Sequence, residues 1–148
     1  MKKALVVLGL GLVLGGAAQA QTLNVGGTYF APGGFGVNLG VAFNVTELGG
    51  NAVTARIGAD VTRTAGVTGF SFNADALYNV PSDALNVYVG PSLGFVGGAG
   101  AGAFKVGAVL GANYAFDSQF GLFVEGFYNY VIGGGSFGGA RLGLTYKL

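Results

Sequence analysis

Cysteine, histidine and tryptophan are absent from this chain, and Asp, Glu, Lys and Arg together make up only 9% of its 148 residues. Without cysteine there is no disulfide, no lipid-modified thiol and no thiolate chemistry. Without histidine the commonest general base and metal ligand is missing. A soluble domain carries about 25% charged residues, so this supply is too small to clothe a water-facing exterior. The near-neutral balance offers no electrostatic footprint for nucleic acid. After residue 20 there is also no apolar run approaching the ~20 residues a membrane helix needs. Against these absences stand a 51% apolar composition, 31 glycines and a positive mean hydropathy.

The N-terminus separates from the rest. Lys2 and Lys3 precede an apolar run from Ala4 to about Gly16, and Ala18-Gln19-Ala20 has the small-x-small pattern of a cleavage site. This is the pattern of a secretory signal peptide, residues 1–20, and predicts a single mature domain over residues 21–148. Loss of Lys2 and Lys3 changes the formal charge from +1 to −1. An exported, hydrophobic chain with no spanning helix can satisfy its backbone in lipid only as a closed β-barrel.

Period-two alternation locates eight strands between Gly, Asn, Asp, Ser and Pro clusters. They are read near Thr22–Phe30, Gly36–Val45, Ala52–Thr62, Phe70–Asn79, Asn86–Phe95, Phe104–Phe116, Phe120–Val131 and Arg141–Leu148. The second is the clearest, with Val37, Leu39, Val41, Phe43 and Val45 on one face and Asn38, Gly40, Ala42 and Asn44 on the other. Pro91 interrupts the fifth, where a bulge or strand end is expected because a barrel has no free edge to host it. The fold class expected is all-β, an eight-stranded antiparallel up-and-down transmembrane barrel. Its lengths approach the 9–11 residues of a tilted spanning strand.

The charges follow the same alternation. Arg56, Asp60, Asp75, Lys105, Glu125, Arg141 and Lys147 fall on polar faces, and Glu47, Arg63, Asp83 and Asp117 are read into turns. None is placed on an apolar face, where Arg or Lys at the bilayer midplane costs about 2–4 kcal/mol. Aromatics gather toward both sets of turns. Phe43, Tyr78, Tyr114, Phe116, Phe120 and Tyr146 lie near one, and Tyr29, Phe70, Phe72, Phe95, Phe104, Tyr128 and Tyr130 near the other, as lipid–water interfaces favour.

With its signal peptide, eight short alternating strands and closing segment Arg141-x-Gly143-x-x-Tyr146-x-Leu148, the chain resembles the small outer-membrane barrels of the OmpA-like and OmpX-like type. The resemblance is architectural and spans the whole mature chain. It implies that Arg141, Gly143, Tyr146 and Leu148 form the C-terminal signal read by the barrel assembly machinery, although family members usually end in Phe or Trp. It also implies an outer-membrane location, surrounding lipid, periplasmic chaperones and the assembly machinery during biogenesis, and a monomeric barrel without the peptidoglycan-binding domain of full-length OmpA. Enzymes among outer-membrane barrels rely on histidine, so no enzymatic activity, cofactor or metal is expected.

The lumen is where residue-level expectations concentrate. A turn near Ala65-Gly66 places Arg56 across from Asp75, both inward, and Glu125 and Arg141 join them from the last two strands. Arg56, Asp60, Asp75, Lys105, Glu125 and Arg141 are therefore read as a lumen charge network that is neutralised internally. A gate or selectivity element is the alternative role for it. Gly26, Gly40, Gly58, Gly90, Gly94, Gly107, Gly111 and Gly143 also face inward, and Phe127 is expected to lie over Gly143. External loops are expected at 31–35, 63–67, 96–103 and 132–139. They are short and rich in Gly and Ala, which disfavours a dedicated adhesin. An eight-stranded barrel is just wide enough for side chains to fill it. The function expected is thus a structural envelope barrel with a packed lumen, with a small porin-like channel as first alternative and a soluble secreted β-protein as second.

Overall fold

The computed structural model describes residues 21–31, 33–98 and 101–148, and the expected signal peptide lies outside the described residues. Eight strands follow in chain order: β1 (Thr22–Phe30), β2 (Gly34–Leu48), β3 (Asn51–Thr64), β4 (Val67–Ser82), β5 (Leu85–Gly98), β6 (Ala101–Ala115), β7 (Phe120–Val131) and β8 (Ser136–Lys147). Each pairs antiparallel with the next, and β8 returns to β1 to close an up-and-down barrel. The seam runs from Thr22 opposite Lys147 to Phe30 opposite Gly139.

Burial is inverted relative to a water-soluble domain. Asp60 is 0% exposed, Lys105 2% and Glu125 3%, whereas Leu110 is 60% and Phe104 68% exposed. Strand β7 shows the cause: Phe123, Glu125, Phe127 and Asn129 point in, and Leu122, Val124, Tyr128 and Tyr130 point out. Period-two alternation alone creates the two faces, and closure of the barrel turns one of them into its interior.

The strands are longer than alternation suggests, because several connections shrink to tight turns. Gly49-Gly50 joins β2 to β3 and Ala65-Gly66 joins β3 to β4, with positive φ at all four residues. That is the type I′ geometry whose twist matches the flanking strands. Two charges therefore leave the turns to which alternation assigns them: Glu47 is in β2 and Arg63 in β3. Arg63 pairs with Phe35 and Thr68 and shares the outward face of Val61, so one charge does lie on the apolar face, at the strand's outer end. The expected 96–103 loop is likewise mostly strand, since Gly98 pairs with Ala101.

Pro91 produces neither the bulge nor the strand end expected of it. The β4–β5 register is the same on both sides of it, Asp75 opposite Ser92 and Tyr78 opposite Val89, with the two intervening pairs missing from the ladder. Pro91 lacks the N–H that a ladder bond needs, but the strand continues through it and pairs normally with β6 at Ala108. The bulge lies elsewhere, in β2, where the register shifts between Asn44 and Thr46.

Stepping across partners from Phe30 through Gly139, Phe127, Val109 and Gly90, across the interrupted ladder to the level of Leu77, and on through Thr54 leads to Asn44 in β2, whereas Phe30 pairs directly with Gly34, a stagger from 34 to 44. Such stagger accompanies a strand tilt of about 35–45°. Inward glycines let the tilted strands curve this tightly. A Cβ on Gly90 would fall 1.7 Å from the Ala76 carbonyl oxygen, and one on Gly143 would fall 2.2 Å from that of Val25.

Ala65 holds a left-handed φ of 49° that costs an L-residue about 1–2 kcal/mol and glycine little. Ala65→Gly is expected to stabilise the barrel by about 0.5–1 kcal/mol after the extra freedom glycine adds to the unfolded chain. A shift of the urea midpoint to higher concentration, in refolded protein in vesicles, would be the readout.

Candidate functional site

The six charged lumen residues come from five strands and form one connected cluster. Arg56 of β3 lies opposite Asp75 of β4, and its Nε donates to Asp75 Oδ2 at 2.8 Å. The same guanidinium reaches across the barrel to Glu125 of β7, with Nη1 and Nη2 donating to the two carboxylate oxygens at 3.0 and 2.9 Å. Arg141 of β8, the cross-strand partner of Glu125, turns instead to Asp60, which its Nε and Nη2 contact at 2.9 and 2.8 Å. Its Nη1 lies 3.8 Å from Glu125, linking the two halves.

Neutral side chains complete this cluster. Asp60 also accepts from Thr28 Oγ1 at 2.7 Å, Asn38 Nδ2 at 3.2 Å and Asn73 Nδ2 at 3.0 Å. Asn73 in turn accepts from Lys105 Nζ, so the lysine is tied to the carboxylate through an amide rather than by direct pairing. Among the described residues Lys105 makes no ion pair. Three cations meet three anions overall, and the two arginines use planar, bidentate contacts that a lysine could not reproduce. Asp60 and Asp75 are each paired with an arginine rather than with one another.

Apolar groups pack against this network on the β7–β8–β1 side. Phe30, Phe127 and Phe137 contact one another with ring centroids 5.2–6.3 Å apart, and the Arg141 guanidinium lies 4.2 Å from the Phe127 centroid. Leu77, Tyr88 and Val109 extend the cluster. Phe127 sits opposite Gly139, four residues from the partner expected for it, and Phe123 is the ring opposite Gly143. The device itself is present at both places, since a Cβ on either glycine would meet the ring facing it. Phe137 escapes sequence reading because a glycine-rich return hides the start of β8, and Phe30 is legible only through the parity of β1. Tyr88 is legible only through the parity of β5.

Two spaces remain. A void of about 10 Å³, roughly the room for one water, lies among Asn24, Asn38, Arg56, Asn73, Asp75 and Arg141. At the end where Gln21 and Leu148 lie, a vestibule of about 730 Å³ opens outward and ends on Arg56, Leu77, Tyr88 and Phe123. Of the closing-strand residues, Arg141 and Gly143 face the lumen. Tyr146 faces out, its ring tilted against that of Phe120 with centroids 5.0 Å apart, and Leu148 is exposed beyond the strand, with its N–H donating to the Gln21 carbonyl.

On the exterior, outward aromatics gather at the two ends of the barrel. Phe70, Phe72, Phe95 and Phe104 form a chain of ring contacts near one rim, and Tyr114–Phe116 and Phe120–Tyr146 pair near the other. No helix among the described residues is long and apolar enough to cross a membrane.

A closed barrel with an apolar outside, aromatic ends and a charged, packed inside defines the architectural class of small transmembrane β-barrels. The chain has the fold of solved outer-membrane barrels. The N-terminal barrel domain of Pseudomonas aeruginosa OprF superposes with a TM-score of 0.65 at 15% identity, covering 87% of this chain and 98% of that one. The outer membrane enzyme PagL gives 0.62 at 13%, covering 86% and 99%. Neisserial surface protein A gives 0.60 at 16%, covering 86% and 94%. No family model and no curated protein matches the chain. The similarity is therefore one of fold.

Proposed function

We propose that this protein is an integral outer-membrane barrel with a structural role in the envelope, a closed lumen and no chemistry of its own. The observation that carries this reading is the combination of an apolar exterior with a lumen spanned by the Arg56–Glu125 and Arg141–Asp60 bridges. These contacts run between strands that are not neighbours, so they fill the cross-section rather than decorate the wall. Every acidic group of the network is engaged by arginine, and the chain has no histidine to supply a general base. In the same reading Tyr146 and Leu148 belong to the assembly signal, and the mature chain begins after Ala20.

A small channel is the second reading, and the vestibule favours it. The arginine-centred network and the apolar cluster packed beside it separate that open space from the other end of the lumen. Planar-bilayer recording distinguishes the two. The refolded protein is expected to show no stable unitary conductance, while Glu125→Gln, which weakens the bridge to Arg56, is expected to produce brief openings. Stable unitary currents from the unaltered protein would make the channel reading the correct one.

A further inference from the structure

Strand β1 starts short of its neighbour. Thr22 is its first paired residue, opposite Ala42, whereas β2 runs on to Leu48, so one edge of Phe43–Leu48 has no strand beside it among the described residues. An open edge is a template for unwanted pairing. Gln21 closes the first part of this one with its side chain. Its backbone N–H donates to Ala42 O at 2.8 Å, and its Oε1 accepts from the Asn44 N–H at 2.8 Å. Because β2 is antiparallel to β1, Asn44 lies level with the N-terminal side of Gln21. The side chain therefore turns back past its own amide, and its carboxamide carbonyl fills a ladder slot that a main-chain carbonyl would otherwise take. Gln21 O accepts from the Leu148 N–H at 3.0 Å, so the residue is also held from the β8 side.

This arrangement acquires a chemical meaning when Gln21 heads the chain, as cleavage after Ala20 makes it. The α-nitrogen and the carboxamide carbon Cδ of a leading glutamine close to the unstrained lactam ring of pyroglutamate. The back-turned side chain already carries Cδ to the nitrogen's side of the residue, which removes much of the ordering that ring closure needs. The Asn44 N–H on Oε1 is placed to stabilise the negative charge that this oxygen gains as the amine adds. Ala42 O holds one N–H of the amine and leaves its lone pair free for Cδ. Gln21 is exposed, so ammonia departs directly to water. The product keeps both contacts with β2, since the lactam retains an N–H for Ala42 O and a carbonyl for the Asn44 N–H.

We propose that Gln21 is a modification site that the folded barrel converts to pyroglutamate. The N–Cδ bond forms, the Cδ–Nε2 bond breaks, and one proton of the α-amine leaves with Nε2 as ammonia, so no co-reactant is needed. The lactam then caps the open edge of β2 with a neutral group. This inference rests on the reading that the mature chain begins after Ala20.

Intact mass and N-terminal sequencing of the barrel exported by cells and extracted from outer membranes test it. The chain is expected to begin at Gln21, to be lighter by one ammonia, and to resist Edman degradation until pyroglutamate aminopeptidase removes the lactam. Gln21→Asn, whose side chain is too short to close the ring, should carry a free amine. The part played by the fold is read from the barrel refolded in vesicles with a factor Xa-cleavable leader joined to Gln21. After cleavage the lactam should form about tenfold faster in the barrel than in the same chain transferred to guanidinium chloride. Asn44→Pro removes the donor at an edge position, where proline is tolerated, and should lose most of that acceleration while heat-dependent gel mobility stays unchanged. A first residue other than Gln21 would overturn the cleavage reading and this proposal with it. A free Gln21 amine in the mature barrel, equal rates in folded and unfolded chains, or an Asn44→Pro barrel that cyclises like the parent would overturn the proposal alone and leave the cleavage reading standing.

Discussion

Arg56→Met is expected to cost the barrel about 3–5 kcal/mol, the usual penalty for breaking a buried ion pair from one side. The wild-type guanidinium serves two carboxylates, contacting Asp75 at 2.8 Å and Glu125 at 2.9–3.0 Å in surroundings where all three residues are almost fully buried. Methionine fills much of the same volume, so the loss would be electrostatic rather than a packing defect. Asp75 and Glu125 would be left facing one another, with Arg141 Nη1 at 3.8 Å from Glu125 as the nearest compensation. The triple variant Arg56→Met/Asp75→Asn/Glu125→Gln removes the charges together and should recover most of the loss, because desolvation of the pair opposes its attraction. Urea unfolding in vesicles measures both. A single variant as stable as the parent would mean that water reaches these carboxylates freely and that the bridge does not close the lumen.

How much of this cluster could be read from sequence depended on how local each contact is. Arg56 opposite Asp75 was legible because the hairpin between them is short and Ala65-Gly66 centres it. Arg56 with Glu125 was not, since β3 and β7 meet only across the lumen and no hairpin register links them. The inward faces of Asp60, Lys105 and Arg141 followed from parity, but the choice of Asp60 over Glu125 by Arg141 comes from barrel stagger. The Phe127–Gly143 pairing failed for a specific reason. Gly133-Gly134-Gly135 offers several possible turn centres, and the positive φ of Gly133 selects one that moves the register so that Phe127 meets Gly139. Strand ends at Glu47 and Arg63 were hidden because alternation of apolar residues fades beyond the aromatic ends, while backbone pairing continues. The overall fold needed none of these details, since eight alternating segments with inward charge have few other ways to satisfy their backbone in lipid.

The outward face offers the test with opposite signs for a membrane barrel and a secreted soluble one. Leu110 lies well inside β6, points away from the lumen and is 60% exposed, with Val89 and Gly126 as its cross-strand partners. In a bilayer that position faces hydrocarbon, so Leu110→Arg is expected to cost about 2–4 kcal/mol, decreasing toward the interfaces. In water the same change would replace an exposed leucine by a charge and leave stability within about 0.5 kcal/mol. Arg63 is the internal control: it occupies the same outward face at the far end of β3, where a charge costs about 0–1 kcal/mol, so Arg63→Leu should change little. Unfolding of the three proteins in vesicles of matched composition gives the comparison. A large loss for Leu110→Arg beside a small effect for Arg63→Leu would place the β6 midpoint in lipid. Equal, small effects would instead mean that the apolar surface of this barrel is covered by something other than a membrane.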